Sequence, residues 1–170
     1  LSWTQAQIQL RHLSISSDEA KLYQSLASHV IYANAALRAP SRTIVQDMGP
    51  QSALWPQSIS GYRPIVLLRI DDVEDIAIVQ QLLQAFEYWK AKGLIADLVI
   101  LNDRMSSYVQ DLQAAIDALV RKVGTLRSSK QIYLLRADLT APETLRVVAT
   151  AARVELLARR GSLAKQIGRL

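Results

Sequence analysis

Three aspartates occupy matching positions in this sequence, each just after a short apolar run. They are Asp71 after Ile65–Ile70, Asp103 after Asp97–Leu101 and Asp138 after Ile132–Leu135. Carboxylates collected at one edge of a sheet could bind Mg²⁺ or sugar hydroxyls. The alternative is structural, because each aspartate precedes a helical pattern by a few residues and could cap its free backbone N–H groups. The spacing favours the structural interpretation and keeps the three aspartates as candidates for binding.

Residues 40–64 form a loop that carries the other candidate side chains. Four of the five prolines fall in it, yet it is too apolar for a linker and should pack on something. Trp55 could stack on a sugar ring and Gln51 could hydrogen-bond its hydroxyls, although such a tryptophan more often anchors its loop. Ser60 lies in S-I-S-G, which is not the G-x-S-x-G nucleophile elbow and precedes a strand instead of following one. We therefore expect Trp55 and Ser60 to serve docking rather than catalysis.

The composition of the 170 residues argues against several kinds of chemistry. There is no Cys, which excludes thiolate catalysis and Cys-ligated zinc, and the two His are too few for a histidine-rich metal site. Neither G-x-G-x-x-G nor G-x-x-x-x-G-K-[ST] occurs, so we expect no nucleotide and no other cofactor. The net charge of +5 is scattered, which argues against nucleic acid. No apolar run approaches the ~20 residues of a membrane span.

The hydrophobic pattern predicts the elements that must position these side chains. Residues 1–39 should form a helical pair, with a capping box at Ser16 and Glu19 opening the second helix. Residues 43–46 could add a short edge strand. Residues 65–161 contain three strand–helix units, and the continuous apolar runs indicate strands buried on both faces of a parallel sheet. We expect residues 162–170 to be a connection to an absent module of a longer protein.

The predicted fold class is α/β. A small Rossmann-like parallel sheet of three or four strands, with the first strand central, would be flanked by helices and preceded by the helical pair. In the second unit Tyr108, Leu112 and Ile116 should line the buried helix face. In the third, Thr140 and Glu143 should form a capping box, and the helix should continue through Leu156 and Arg159 to Gly161.

Much of the chain resembles a segment of the cyclic β-1,2-glucan synthases, a group related to glycosyltransferase family 36 and glycoside hydrolase family 94. The matching residues are Gln51, Leu54, Trp55, Ile59–Gly61, Pro64, Ile65, Tyr88, Trp89, Lys92–Leu94, Asp97–Asn102, Ser107, Tyr108 and Leu112. Two departures are Tyr62, where the family has Asp, and Pro56-Gln57 after the Leu-Trp pair. The family motifs in this segment carry no catalytic residue that could be transferred to this chain.

The resemblance implies a large bacterial parent at the cytoplasmic side of the inner membrane. Such a parent would build β-1,2-glucan from UDP-glucose, with a phosphorylase-like module controlling chain length. This chain would be a non-catalytic scaffold or interaction domain whose partners are the neighbouring modules. The alternative is a carbohydrate-binding module in which Gln51, Trp55 and the strand-end aspartates contact glucan.

Overall fold

The apolar run Ile65–Ile70 is strand β1, and it lies inside a parallel sheet. The computed structural model describes residues 14–32, 59, 62–105, 107–124 and 131–168. Within them the other strands are β2 (Asp97–Asn102), β3 (Ile132–Arg136) and β4 (Ala152–Leu157), in the spatial order β3-β2-β1-β4. All three pairings are parallel. This confirms the α/β fold class and the interior position of β1.

Five helices accompany the sheet within the described residues. They are α1 (Ser17–Tyr32), α2 (Ala77–Ala91), α3 (Val109–Gly124), α4 (Pro142–Ala151) and α5 (Leu163–Ile167), and short 3₁₀ turns cover Val73–Asp75 and Ala158–Arg160. From β1 to β3 the chain moves one way across the sheet, and from β3 to β4 it moves back across it. Because parallel crossovers are right-handed, this change places α4 on the opposite sheet face from α2 and α3. The arrangement is therefore doubly wound.

Each strand contributes alternate residues to two separate cores. The larger core joins α1, α2, α3 and α5 to one sheet face, which presents Val66, Leu68, Leu98, Ile100 and Leu156. The smaller core lies beneath α4 and contains Ile65, Leu67, Val99, Leu101 and Leu135 from the sheet. The α4 face is not wholly apolar, because Asp97 begins β2 on it, Glu155 lies opposite Leu67, and Arg69 lies near the end of β1.

Helix α1 is fixed to α2 by polar contacts as well as by the core. The Trp89 indole N–H donates to the Tyr23 carbonyl at 2.8 Å, and Gln24 Nε2 donates to the Tyr88 hydroxyl at 2.7 Å. The predicted capping box is confirmed: Ser16 N donates to Glu19 Oε1 and Glu19 N donates to Ser16 Oγ, both at 3.1 Å. The first predicted helix and the strand at 43–46 lie outside the described residues.

The predicted long third helix is wrong. It ends at Ala151, and the next six residues form β4, which pairs with β1. Ala152, Val154 and Leu156 are buried while Arg153 is exposed, which is the two-residue period of a strand. Leu145, Val148, Ala152 and Leu156 also fit a helical spacing, which is why the sequence pattern predicted a helix where β4 lies.

Three local predictions around the helices also need correction. The residue before α4 is Ala141, which makes no side-chain cap, and Thr140 Oγ1 donates to the Arg136 carbonyl at 2.7 Å instead of joining a capping box. Tyr108 precedes α3 and is 67% exposed rather than part of its buried face. Residues 163–167 form α5, whose Leu163 lies in the larger core, so this part of the predicted connection is packed on the domain.

Candidate functional site

The chain adds β2 and β3 on one side of β1 and β4 on the other, and a cleft opens at the carboxyl ends of β1 and β4, where this order reverses. In open α/β sheets this reversal is the place where ligands usually bind. The cleft has a volume of about 260 Å³. We call it the switch cleft, and its polar lining consists of Arg69, Asp71, Asp103, Glu155 and Arg159.

Arg69 is the centre of the switch cleft. Its Nε donates to Glu155 Oε1 at 2.6 Å, and its Nη1 lies 3.6 Å from Asp103 Oδ2. The side chains of Arg69 and Glu155 are 27% and 15% exposed, so this contact between β1 and β4 is partly shielded from water. One guanidinium thus faces two carboxylates, so the negative charge of each acid is partly balanced by Arg69.

A second cleft of about 260 Å³ lies beside the first, between the turn after β1 and the loop after β2. We call it the tyrosine cleft, and it is lined by Asp71, Asp72, Val73, Arg104, Tyr108, Asp111 and Leu112. Asp71 lines both clefts, so they adjoin at this residue. The side chains of Asp71 and Asp111 make no hydrogen bond or ion pair with any residue that the structure describes.

Arg104 and the buried Asn102 hold the walls of the tyrosine cleft in place. Arg104 Nη1 donates to the Asp71 carbonyl at 3.1 Å and its Nε donates to the Ser107 carbonyl at 3.0 Å. Asn102 is 1% exposed; its Nδ2 donates to the Val109 carbonyl at 3.0 Å, and its Oδ1 accepts from Arg104 N at 3.1 Å. The loop after β2 is therefore tied both to the turn after β1 and to the start of α3.

Tyr108 breaks two local rules in this cleft. Its φ is 72°, in the left-handed region that a bulky side chain rarely adopts. Its carbonyl accepts from Leu112 N at 3.1 Å, which puts it at the start of α3, where Ser, Thr, Asp and Asn are preferred for capping. The ring is nevertheless 67% exposed at the cleft. Departures of this kind concentrate at functional sites.

The structure brings Asp71 and Asp103 to the same cleft and leaves Asp138 outside both. Asp138 receives two hydrogen bonds from Arg136, at 3.0 and 2.7 Å, and this guanidinium holds the pKa of the Asp138 carboxyl below its usual value. The expectation that these aspartates cap helices is corrected for Asp103 and Asp138, which contact arginines. The residue that does cap is Asp72, which follows Asp71. Its Oδ1 accepts from Glu74 N at 2.9 Å at the start of the 3₁₀ turn Val73–Asp75.

The loop candidates Gln51, Trp55 and Ser60 lie outside the described residues, and their roles stay predictions. The sequence analysis missed Arg69, Arg104, Asp111, Glu155 and Arg159 as site residues. Arg69 carried a signal, because it is the one charge inside an otherwise apolar strand. Glu155 and Arg159 carried none while their segment was interpreted as a helix.

The opposite edge of the sheet holds one buried acid. Asp97 is 1% exposed, and neither of its carboxylate oxygens has a hydrogen-bond partner among the residues that the structure describes. Arg63 Nη1 lies 3.6 Å from Asp97 Oδ1, which is too long for a hydrogen bond. Burial raises the pKa of Asp97, and the nearby Arg63 partly offsets this increase. Asp97 is remote from both clefts, because it is the first residue of β2 and the clefts lie at the carboxyl ends of the strands.

Two further properties of the described residues bear on the site. No group of three or more His, Asp or Glu among them is arranged to hold a metal ion. None of the described helices combines the length and apolarity needed to cross a membrane.

No protein-family model matches the chain. The chain is 42% identical to the cyclic beta-(1,2)-glucan synthase NdvB of Rhizobium meliloti (strain 1021) over 172 aligned residues. The alignment covers 99% of this chain and 6% of that protein, so the chain spans a small fraction of the curated relative. The resemblance to the cyclic β-1,2-glucan synthases is thereby confirmed, and the chain is homologous to a segment of such a protein.

Proposed function

We propose that the chain is a non-catalytic α/β scaffold and interaction domain of a bacterial enzyme that resembles the cyclic β-1,2-glucan synthases. The parent would make glucan from UDP-glucose at the cytoplasmic side of the inner membrane, with a phosphorylase-like module controlling chain length. Identity of 42% along nearly the whole chain supports the parent. The partners are then the neighbouring modules of the same enzyme.

The observation that carries the non-catalytic role is the state of the strand-end acids. Enzymes that hydrolyse glycosides generally use two carboxyl groups that flank the glycosidic bond, and the acid among them has a raised pKa. Here Asp103 contacts Arg69, Asp138 contacts Arg136 and Asp72 caps a turn, which leaves Asp71 as a single strand-end acid without a partner among the described residues. Burial raises the pKa of Asp97, but this acid lies at the far edge of the sheet, away from the strand-end acids.

The interaction role is proposed for the loop at residues 40–64. Its Trp55 and Leu54 are apolar residues in a loop whose length and composition argue that it packs on another surface. Aromatic side chains contribute strongly to the binding energy of many interfaces. We place Trp55 at the contact with a neighbouring module.

Trp55→Ala tests this role when it is made twice, in the isolated chain and in the full-length parent. Docking predicts that the isolated chain keeps its melting temperature, whereas the full-length protein loses stability and glucan output. Tyr32→Ala is the matched control, because Tyr32 is an aromatic residue with 82% exposure at the end of α1. Unchanged stability and output in the full-length Trp55→Ala protein would remove the main support for the proposal.

Carbohydrate binding is the second candidate function. A specific observation favours it, namely the exposed Tyr108 ring beside carboxylates that have no partner among the described residues.

A further inference from the structure

The two clefts at the carboxyl edge share Asp71 in their linings, so a ligand that passes Asp71 can reach both. Pockets for small molecules usually have volumes of about 300–1,000 Å³. Each cleft, at about 260 Å³, falls just short of this range alone, while the two together lie well within it. We call the joined space the edge groove. An occupant that uses the whole groove must reach past Asp71 in both directions.

The charges of the edge groove argue for a neutral ligand. Its lining contains five carboxylates and three guanidinium groups, so the balance of charge is negative. Phosphate-bearing ligands such as nucleotide sugars would be repelled. The turn after β1 also lacks the glycines that let a phosphate approach the backbone. A neutral compound that is rich in hydroxyl groups meets neither obstacle.

The polar groups and the ring are those that bind sugars. Asp71 and Asp111 present acceptors that no described residue uses, and charged acceptors make the stronger hydrogen bonds to hydroxyl donors. Arg159 supplies donors on the other side of Asp71. Tyr108 presents an aromatic face that can cover the apolar C–H face of a pyranose ring. Arg104 fixes the distance between these walls through its contacts with Asp71 and Ser107.

We propose that the edge groove binds a neutral oligosaccharide, with Tyr108 as the stacking platform and Asp71 at the middle of the bound chain. The choice of β-1,2-linked glucose as the sugar rests on the proposed parent enzyme. The strained backbone of Tyr108 follows from this role, because the left-handed conformation keeps the ring at the cleft while α3 starts behind it.

The test is an NMR titration of the 170-residue chain with a β-1,2-linked glucose tetrasaccharide. We expect saturable shift changes at millimolar sugar in the amides of residues 71–73, 107–111 and 155–159. Asp71→Asn and Tyr108→Ala should each weaken binding about tenfold or more, which is the effect of losing roughly one charged hydrogen bond or an equivalent contact. No shift change at millimolar sugar, or changes confined to other surfaces, would overturn the proposal.

Matched variants separate binding from folding. Asp138→Asn and Tyr32→Ala should bind as the unmodified chain does, since Asp138 follows β3 outside the groove and Tyr32 ends α1. Tyr108→Gly should raise the melting temperature by relieving the backbone while it loses affinity. Equal losses in the Asp71→Asn and Asp138→Asn proteins would contradict the groove.

A β-1,4-linked glucose tetrasaccharide tests the sugar class. We expect it to bind more weakly than the β-1,2-linked sugar. Equal affinity for the two sugars would overturn β-1,2-glucan as the ligand. The docking role is tested independently, through Trp55 in the full-length parent, so its failure and the failure of the groove are distinguishable.

Discussion

At the scale of single residues, Asp97 is a buried acid that costs the fold stability. Its carboxylate is 1% exposed and has no hydrogen-bond partner within the described part of the chain, with Arg63 at 3.6 Å as its compensating charge. Burial raises its pKa above the ordinary 3.8. The folded protein therefore binds this proton more tightly than the unfolded chain does. The contribution of Asp97 to stability falls as the pH rises from about 3.8 through the folded-state pKa, and it stays low above that value.

Asp97→Asn should therefore stabilise the protein at neutral pH. We expect a gain of about 1 kcal/mol, or roughly 2–4 °C in Tm, because the desolvated charge is removed. Arg63 remains solvated after the change, since its side chain is 47% exposed. Thermal unfolding followed by circular dichroism from pH 3 to pH 8 measures the effect.

The gain from Asp97→Asn should vanish below the ordinary pKa of 3.8, where the carboxyl is protonated in both states. Arg63→Gln is the companion variant and should destabilise the protein at neutral pH, because it leaves the buried carboxylate without its cation. An Asp97→Asn protein that is less stable than the original chain at pH 7 would contradict this account of the acid.

Tyr108 marks the limit of prediction from sequence at this scale. The sequence places Tyr108 at a spacing that suits the buried face of α3, and nothing in its neighbours announces a positive φ. Its conformation depends on tertiary contacts, above all the hydrogen bonds of Asn102 and Arg104 that tie the loop after β2 to the turn after β1. Contacts between loops 33 residues apart leave no periodic signal in the sequence.

At the scale of elements, β4 decides the architecture. Without it β1 would be an edge strand, and neither the reversal of strand order nor the switch cleft would exist. The first three strands were predictable, because each is a continuous apolar run followed by polar residues and a long amphipathic pattern. The fourth was not, because Leu145, Val148, Ala152 and Leu156 also fit a helical period, and no turn residue separates α4 from β4.

Val154→Ala tests whether this segment is a strand. Val154 is fully buried and pairs with Val66 on β1, whereas a helix continued through residues 152 and 156 would leave it off the buried face. We expect a loss of about 2 kcal/mol in the free energy of unfolding, measured by urea denaturation. The adjacent Arg153→Ala, at an exposed position, should change it by no more than about 0.5 kcal/mol. Similar effects of the two substitutions would be inconsistent with β4.

At the scale of the whole molecule, the chain combines two cores with exposed apolar side chains at the carboxyl edge of its sheet. One core joins four helices to one sheet face, and the second lies under α4. Exposed large apolar side chains also follow three neighbouring strands: Val73 after β1, Met105 and Tyr108 after β2, and Leu139 after β3. Such a division suits a module whose carboxyl edge meets ligands or neighbours while its cores support it.

The sequence alone says little about chemistry. It presents no motif that reports a reaction, and the link to function rests on 42% identity to a segment of a cyclic glucan synthase. The first three strands could be derived from hydrophobic patterns because burial enforces them. The site could not, since Arg69, Glu155 and Arg159 converge only after β4 is placed beside β1.

Hydrogen exchange measured by mass spectrometry, in the isolated chain and in the full-length parent, tests the interaction role most directly. Docking on a neighbouring module predicts that amides of residues 50–62 exchange more slowly in the parent, because contact shields them from water. Amides of β2, which is buried at every position in the isolated chain, should exchange alike in both proteins and serve as the internal control. Equal exchange of residues 50–62 in the two proteins would contradict the central claim that this chain is an interaction domain.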